Sequence, residues 1–237
     1  MYRLNLFLCA LILAPLVAKG QQNFINVPSS EVTKKGQVFF QQQFNFNELV
    51  QANSTFDYGL GKGFEAGFNV LGLNYSERRQ SFFNNDTNDS DPYNPLIAFN
   101  MLKQFRLTEH SNLCIGGQLG ANFRKEHRTK EAGLGYINWS RSDLFGENSQ
   151  LVIGTYYNSM HYGGQGNRVG GWAGLQVPIT QKFYAIGETV IGNNAISYTT
   201  IAAMYFPKKY LPLTLGLQIP NTSHNAYSIV FEITYVP

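Results

Sequence analysis

Apolar and polar residues alternate singly along much of this chain, which is the period of a strand with two unlike faces. Tyr227, Ile229, Phe231, Ile233 and Tyr235 share one face near the C-terminus, opposite Ser228, Glu232 and Thr234. Leu213, Leu215, Leu217 and Ile219 alternate with Thr214, Gly216 and Gln218. Leu113, Ile115, Leu119, Ala121 and Phe123 alternate with Gly116, Gln118, Asn122 and Arg124. Near the front, Val38, Phe40, Phe44 and Phe46 oppose Gln37, Gln41, Gln43 and Asn45. No helical periodicity of comparable quality competes with these rows.

Extending the test predicts strands near 37–46, 50–59, 64–73, 95–106, 113–124, 131–141, 151–162, 168–178, 183–192, 195–206, 213–219 and 226–236. Three of the four segments above reach the ~10 residues a tilted strand needs to cross a bilayer. The count is about twelve, with ten to fourteen open, and even numbers suit single-chain bacterial barrels. The expected fold is therefore all-β, a transmembrane antiparallel up-and-down β-barrel over residues 37–237.

Residues 1–20 follow another pattern. Arg3 precedes an apolar run, Leu4 to Val17, interrupted by Asn5 and Pro15, and Ala18-Lys19-Gly20 supplies small residues at the cleavage positions. This predicts a secretory signal peptide, with a mature chain from Gln21. Cys9 lacks the small preceding residues of a lipoprotein signal. Residues 21–36 are then expected as a periplasmic N-terminal segment ahead of the barrel. Cys114 is the one cysteine left, so no intramolecular disulfide holds the mature fold.

Composition sharpens the picture. Charged residues make up 14%, aromatics 14%, and glycines number 23. Soluble domains carry about 25% charge, so this surface is unusually uncharged. Beyond the signal, no stretch approaches the ~18 apolar residues of a helical span. Strands with an apolar lipid face and a polar inner face satisfy both facts. The net charge of +3 gives no argument for nucleic acid. The implied partners are the lipid bilayer and outer-membrane lipids, the barrel assembly machinery, and small polar solutes.

If both termini are periplasmic, the longest connection, Asn74 to Asn94, faces outside, with a polar centre at 84–91. Short turns at Gly61-Lys62-Gly63 and Thr180-Gln181-Lys182 then face the periplasm, as the usual asymmetry requires. The connections around Asn47 and Asn193 are short yet external.

Val27 to Gly36, running into Gln37-Val38-Phe39-Phe40-Gln41-Gln42-Gln43, resembles a transporter-like family of small outer-membrane barrels from Bacteroidetes-type bacteria. Tyr58-Gly59-Leu60-Gly61-Lys62-Gly63-Phe64-Glu65 is the second point of resemblance. The resemblance implies membrane location and transport, and brings no functional residues with it.

Parity assigns Gln41, Gln43, Asp57, Glu65, Arg106, Gln118, Asn122, Arg124, Glu188, Gln218 and Glu232 to the lumen. A polar lumen is the plain reading; a constriction lined by amides, suited to neutral or weakly charged solutes, is the sharper one. The carboxylates and arginines are alternatively a plugging ion-pair network, with Glu65 and Arg106 its best pair. Passage of small polar solutes is the expected function. A lipid hydrolase of phospholipase or lipid A deacylase type, or a closed structural or adhesion barrel, are the alternatives.

Ser159 and His161 are the weak catalytic candidates. A dyad needs a bond of about 2.6–3.2 Å, whereas same-face i, i+2 side chains of a strand stand about 7 Å apart. His110, His127 and His224 fall in expected turns. No metal motif or cofactor fingerprint occurs, and the loop at 84–91 reads as surface rather than as a Ca²⁺ site. Lys103 falls on the lipid face with Phe99, Met101 and Phe105, where it must snorkel to the interface.

Overall fold

The computed structural model describes residues 23–236, apart from 48, 77–80, 84–91, 93, 123–129 and 224. Its strands are β1 (Val38–Phe46), β2 (Val50–Gly61), β3 (Phe64–Ser76), β4 (Ser81–Phe83), β5 (Leu96–Arg106), β6 (Ser111–Asn122) and β7 (Lys130–Ser142). They continue as β8 (Gln150–Asn158), β9 (Val169–Pro178), β10 (Phe183–Ile191), β11 (Tyr198–Lys208), β12 (Leu211–Pro220) and β13 (Ser228–Tyr235). Every pairing is antiparallel between neighbours, β1 closes on β13 (Phe40 opposite Tyr235), and β3 pairs directly with β5. Twelve strands thus form a closed all-β barrel, and closure removes the unpaired edges an open sheet would leave. The extra strand, β4, pairs only with β3, opposite Asn74, Tyr75 and Ser76. The long third connection therefore begins as a short hairpin rather than as irregular chain; its 84–91 centre lies outside the described residues.

Strand parity follows the sequence pattern. Phe40, Phe56, Phe68, Phe99, Met101, Ile115, Leu119, Ile137, Ile153, Ile201, Leu215 and Ile229 are all exposed on the outer surface. A continuous apolar band of this kind is what a lipid-facing wall requires. Aromatic rings collect at the end where β1 begins and β13 ends: Phe183 stacks on Tyr205 at 4.6 Å and Tyr210 meets Tyr235 at 6.0 Å. Lys103 sits at the same end, bonded to the carbonyl of Lys62 and 4.1 Å from the Phe64 ring centroid. Its ammonium has reached the rim, as snorkelling predicts.

Two sequence expectations need correction. The strand expected over 151–162 stops at Asn158, and Met160–Gly163 forms one helical turn, α1, after Ser159. Residues 23–33, within the segment expected ahead of the barrel, pack inside it, whereas Lys34, Lys35 and Gly36 are exposed. The segment makes almost no sheet: an antiparallel bridge joins Asn23 to Pro28 within it, and a parallel one joins Lys35 to Gly59.

The interior is not uniformly polar. On the β7–β13 side, Leu134, Val152, Tyr156, Trp172, Tyr184, Ile186, Val190, Met204, Phe206 and Val230 form a buried apolar cluster with Phe24, Ile25 and Val27. Burial of such side chains is worth about 1.5–3 kcal/mol each, so this cluster anchors the N-terminal segment. Two glycines make room for it. A Cβ at Gly174 would stand 2.9 Å from the Phe24 ring, and one at Gly59 would collide with the carbonyl oxygens of Thr33 and Lys34.

Candidate functional site

The interior segment presents a backbone that no neighbouring strand pairs along its length. Buried N–H and C=O groups must nonetheless be satisfied, and the inward side chains of the barrel do this. Glu188 on β10 takes the largest share. Its Oε2 accepts from the N–H groups of Ile25 (3.1 Å), Asn26 (3.1 Å) and Val27 (3.1 Å), and its Oε1 from the N–H and side-chain amide of Asn26. Glu65 on β3 accepts from Thr33 N at 2.6 Å.

The segment's carbonyls are met by donors from three other strands. Asn138 donates to Pro28 O (2.9 Å), Gln150 to Ser29 O (3.1 Å), and Gln104 to Ser30 O (2.8 Å). The buried Cys114 thiol also meets Ser30 O at 3.1 Å. Higher up, Asn23 donates to Gln41 Oε1 at 3.1 Å, and Gln218 donates to Asn26 Oδ1 at 3.3 Å.

Above residues 23–28 lies a cup of about 360 Å³. Its lining includes Gln41, Gln43, Asn45, Gln51, Asn53, Asn69, Asn94, Gln118, Gln218 and Asn225, with Tyr162, Trp172, Tyr198 and Ile196 opposite. None of the described lining residues is charged. Asn47, Asn94, Ala195 and Asn225 mark its rim, at the end that carries the long third connection. That rim is knitted together: Asn225 donates to the carbonyls of Asn194, Ala195 and Ser197, and Ala195 N donates to Gly163 O. Tyr162 of α1 reaches inward to donate to Gln118 Oε1 at 3.0 Å, and burial pushes its phenol above the ordinary value.

Of the residues assigned to the lumen, Gln41, Gln43, Asp57, Glu65, Asn122, Glu188, Gln218 and Glu232 are buried inside, and Gln118 lines the cup. Asn122 donates to the carbonyl of His161 at 3.4 Å, and Glu232 accepts from Thr234 at 3.3 Å. Arg106 is the last residue of β5, opposite Asn112 and exposed at the end of the barrel, and its Nε donates to Thr108 O at 3.3 Å. Glu65 bonds instead to the interior segment, so the expected Glu65–Arg106 pair is replaced. Arg124 lies outside the described residues. Ser159 and His161 are not on a strand: Ser159 precedes α1 and its Oγ accepts from Gly133 N at 3.0 Å, tying the rim to β7.

Sequence reasoning missed the role of residues 23–36 and the apolar half of the interior. Two signals were available: four inward carboxylates with only two inward arginines, and strands such as Phe183-Tyr184-Ala185-Ile186 that are apolar on both faces.

No family model matches the chain, and no curated protein matches it in sequence. Solved structures do. A chain described as KdgM porin in complex with disordered oligogalacturonate aligns with a TM-score of 0.57 and 6% identity, over 83% of this chain and 98% of that one. The fold is similar to that of a porin. At this identity the likeness concerns the architecture alone.

Proposed function

We propose that the protein is an outer-membrane channel-type barrel, exported by its signal peptide, that admits small polar solutes and is plugged by its own N-terminal segment. The outward apolar band supports residence in lipid, reached through the barrel assembly machinery. The observation that carries the functional reading is the uncharged, amide-lined cup standing directly on residues 23–28. A structural barrel has no need of such a cavity, whereas a solute entry site does. The segment beneath it is held by side chains rather than woven into the wall, which supports a plug that can leave the lumen.

Planar-bilayer recordings of the full mature chain and of a deletion of residues 23–35 test this. The deletion should conduct in larger and longer-lived steps than the full chain. A deletion variant that is folded by heat-modifiable gel mobility yet silent overturns the channel, and lipid turnover by the same protein would favour the hydrolase.

A further inference from the structure

We infer that the cup is a binding site for a neutral saccharide of one or two rings, an inference that rests on the channel reading above. Its two walls differ in kind. Gln41, Gln43, Asn45, Gln51, Asn53 and Asn69 supply carboxamides on the β1–β3 side. Each carboxamide both donates and accepts, which is the hydrogen-bonding character of a sugar hydroxyl. The opposite wall presents Tyr162, Trp172, Tyr198 and Ile196, apolar and aromatic surface on which the C–H face of a pyranose can lie. An ion would use neither the aromatic wall nor the paired donor–acceptor groups. A flat nucleobase would use the rings but leave most of the amides unmatched.

One group points to a ligand independently. Gln41 is only 4% exposed, its Oε1 is taken by Asn23, and its Nε2 has no partner. A buried donor left unmade costs about 1–3 kcal/mol, and a hydroxyl in the cup would satisfy it.

Charge separates neutral from acidic sugars. The described lining holds no cation, while Glu188 stands just behind the floor, bonded to Asn26. Among the described lining residues a uronate would meet no counter-charge, and it would approach a carboxylate, which disfavours it. The volume of about 360 Å³ is at the small end of ligand pockets, about 300–1,000 Å³, and sets the one- or two-ring limit.

The chain has two tryptophans, and Trp139→Phe on the outer face leaves Trp172 as the sole reporter in the cup. The detergent-solubilised mature protein with that substitution is titrated with lactose, digalacturonate and uridine. Lactose should give a saturable change in Trp172 emission, with digalacturonate and uridine at least about ten-fold weaker. Gln41→Met should weaken lactose about five-fold, the loss of one hydrogen bond. Gln51→Lys, closer to the open end, should bring digalacturonate to within about three-fold of lactose by adding the missing cation. Stronger binding of digalacturonate or uridine to the parent overturns the inference, as does a lactose response that both variants leave unchanged. Absence of any saccharide response in a protein that conducts in bilayers sinks the saccharide site and leaves the channel standing. Saturable lactose binding in a protein silent in bilayers does the reverse.

Discussion

Glu188→Gln should undock the N-terminal segment while leaving the barrel intact. The carboxylate receives three backbone N–H groups and one amide from residues 25–27, all within 2.6–3.1 Å. A glutamine is nearly the same size but turns one oxygen into a donor, so at least two of these contacts become donor against donor. Hydrogen bonds to a charged group are worth about 1.5–3 kcal/mol each, giving a gross loss of about 3–6 kcal/mol. Part is returned, because the buried charge and its desolvation cost are removed as well. A net loss of about 2–4 kcal/mol raises the undocked population roughly 30- to 700-fold at about 1.4 kcal/mol per decade. Amide hydrogen exchange of the peptide spanning 23–36, followed by mass spectrometry in micelles, reads this population directly. Faster exchange there, with unchanged exchange in β5–β8 and unchanged heat-modifiable mobility, is the expected result. Glu188→Ala, which strips the acceptor altogether, should move the same peptide in the same direction. Unchanged protection of 25–27 in both variants refutes the assignment of Glu188 as the anchor.

Gly59→Ala places a methyl group against the carbonyls of Thr33 and Lys34 and should loosen the lower part of the segment by about 1–3 kcal/mol, seen as faster exchange at 33–36. Arg106→Ala, at an exposed strand end, should change neither the anion–cation preference measured by reversal potential nor the thermal stability. A shift in either would place Arg106 in the conduction path. Protease added to intact cells should cut within 77–91 and spare the turn at 209–210, as the expected orientation requires; the opposite pattern inverts the barrel.

The wall was legible because its determinants are local. Period-two alternation within β6 or β13 is visible in a dozen residues, and the observed bounds Ser111–Asn122 and Ser228–Tyr235 lie within two residues of the expected ones. Closure at twelve strands follows from counting. The interior was legible only in part, because parity says which side chains point inward and nothing about what they meet. Parity turned Glu188 inward without naming its partners, Ile25, Asn26 and Val27, more than 160 residues away in sequence. The segment itself carries no periodicity to read, since its backbone is satisfied by side chains from β3, β5, β7, β8 and β10 rather than by a neighbouring strand. Parity likewise assigned Arg106 a side but not its height, and it is the exposed last residue of β5.

The inner carboxamides consequently serve two kinds of partner, and height in the barrel decides which. Asn138, Gln150 and Gln104 meet the interior segment, and their donors are spent on its carbonyls. Gln43, Asn45 and Gln51 stand above it, bonded to one another in the order Gln43 to Asn45 to Gln51. Such mutual bonds are exchangeable for bonds to a solute at little net cost, because a hydroxyl offers the same donor and acceptor that the neighbouring amide gives up. Gln41 lies at the boundary and lines the cup, its oxygen on Asn23 and its buried nitrogen without a partner. Solute site and plug therefore share a surface. A ligand resting on Asn23 and Asn26 adds contacts to the docked segment, and by linkage it favours that docked state. Opening must then come from an influence on the lower anchors, Glu65 and Glu188, or from a ligand too large to stand on the floor without displacing it.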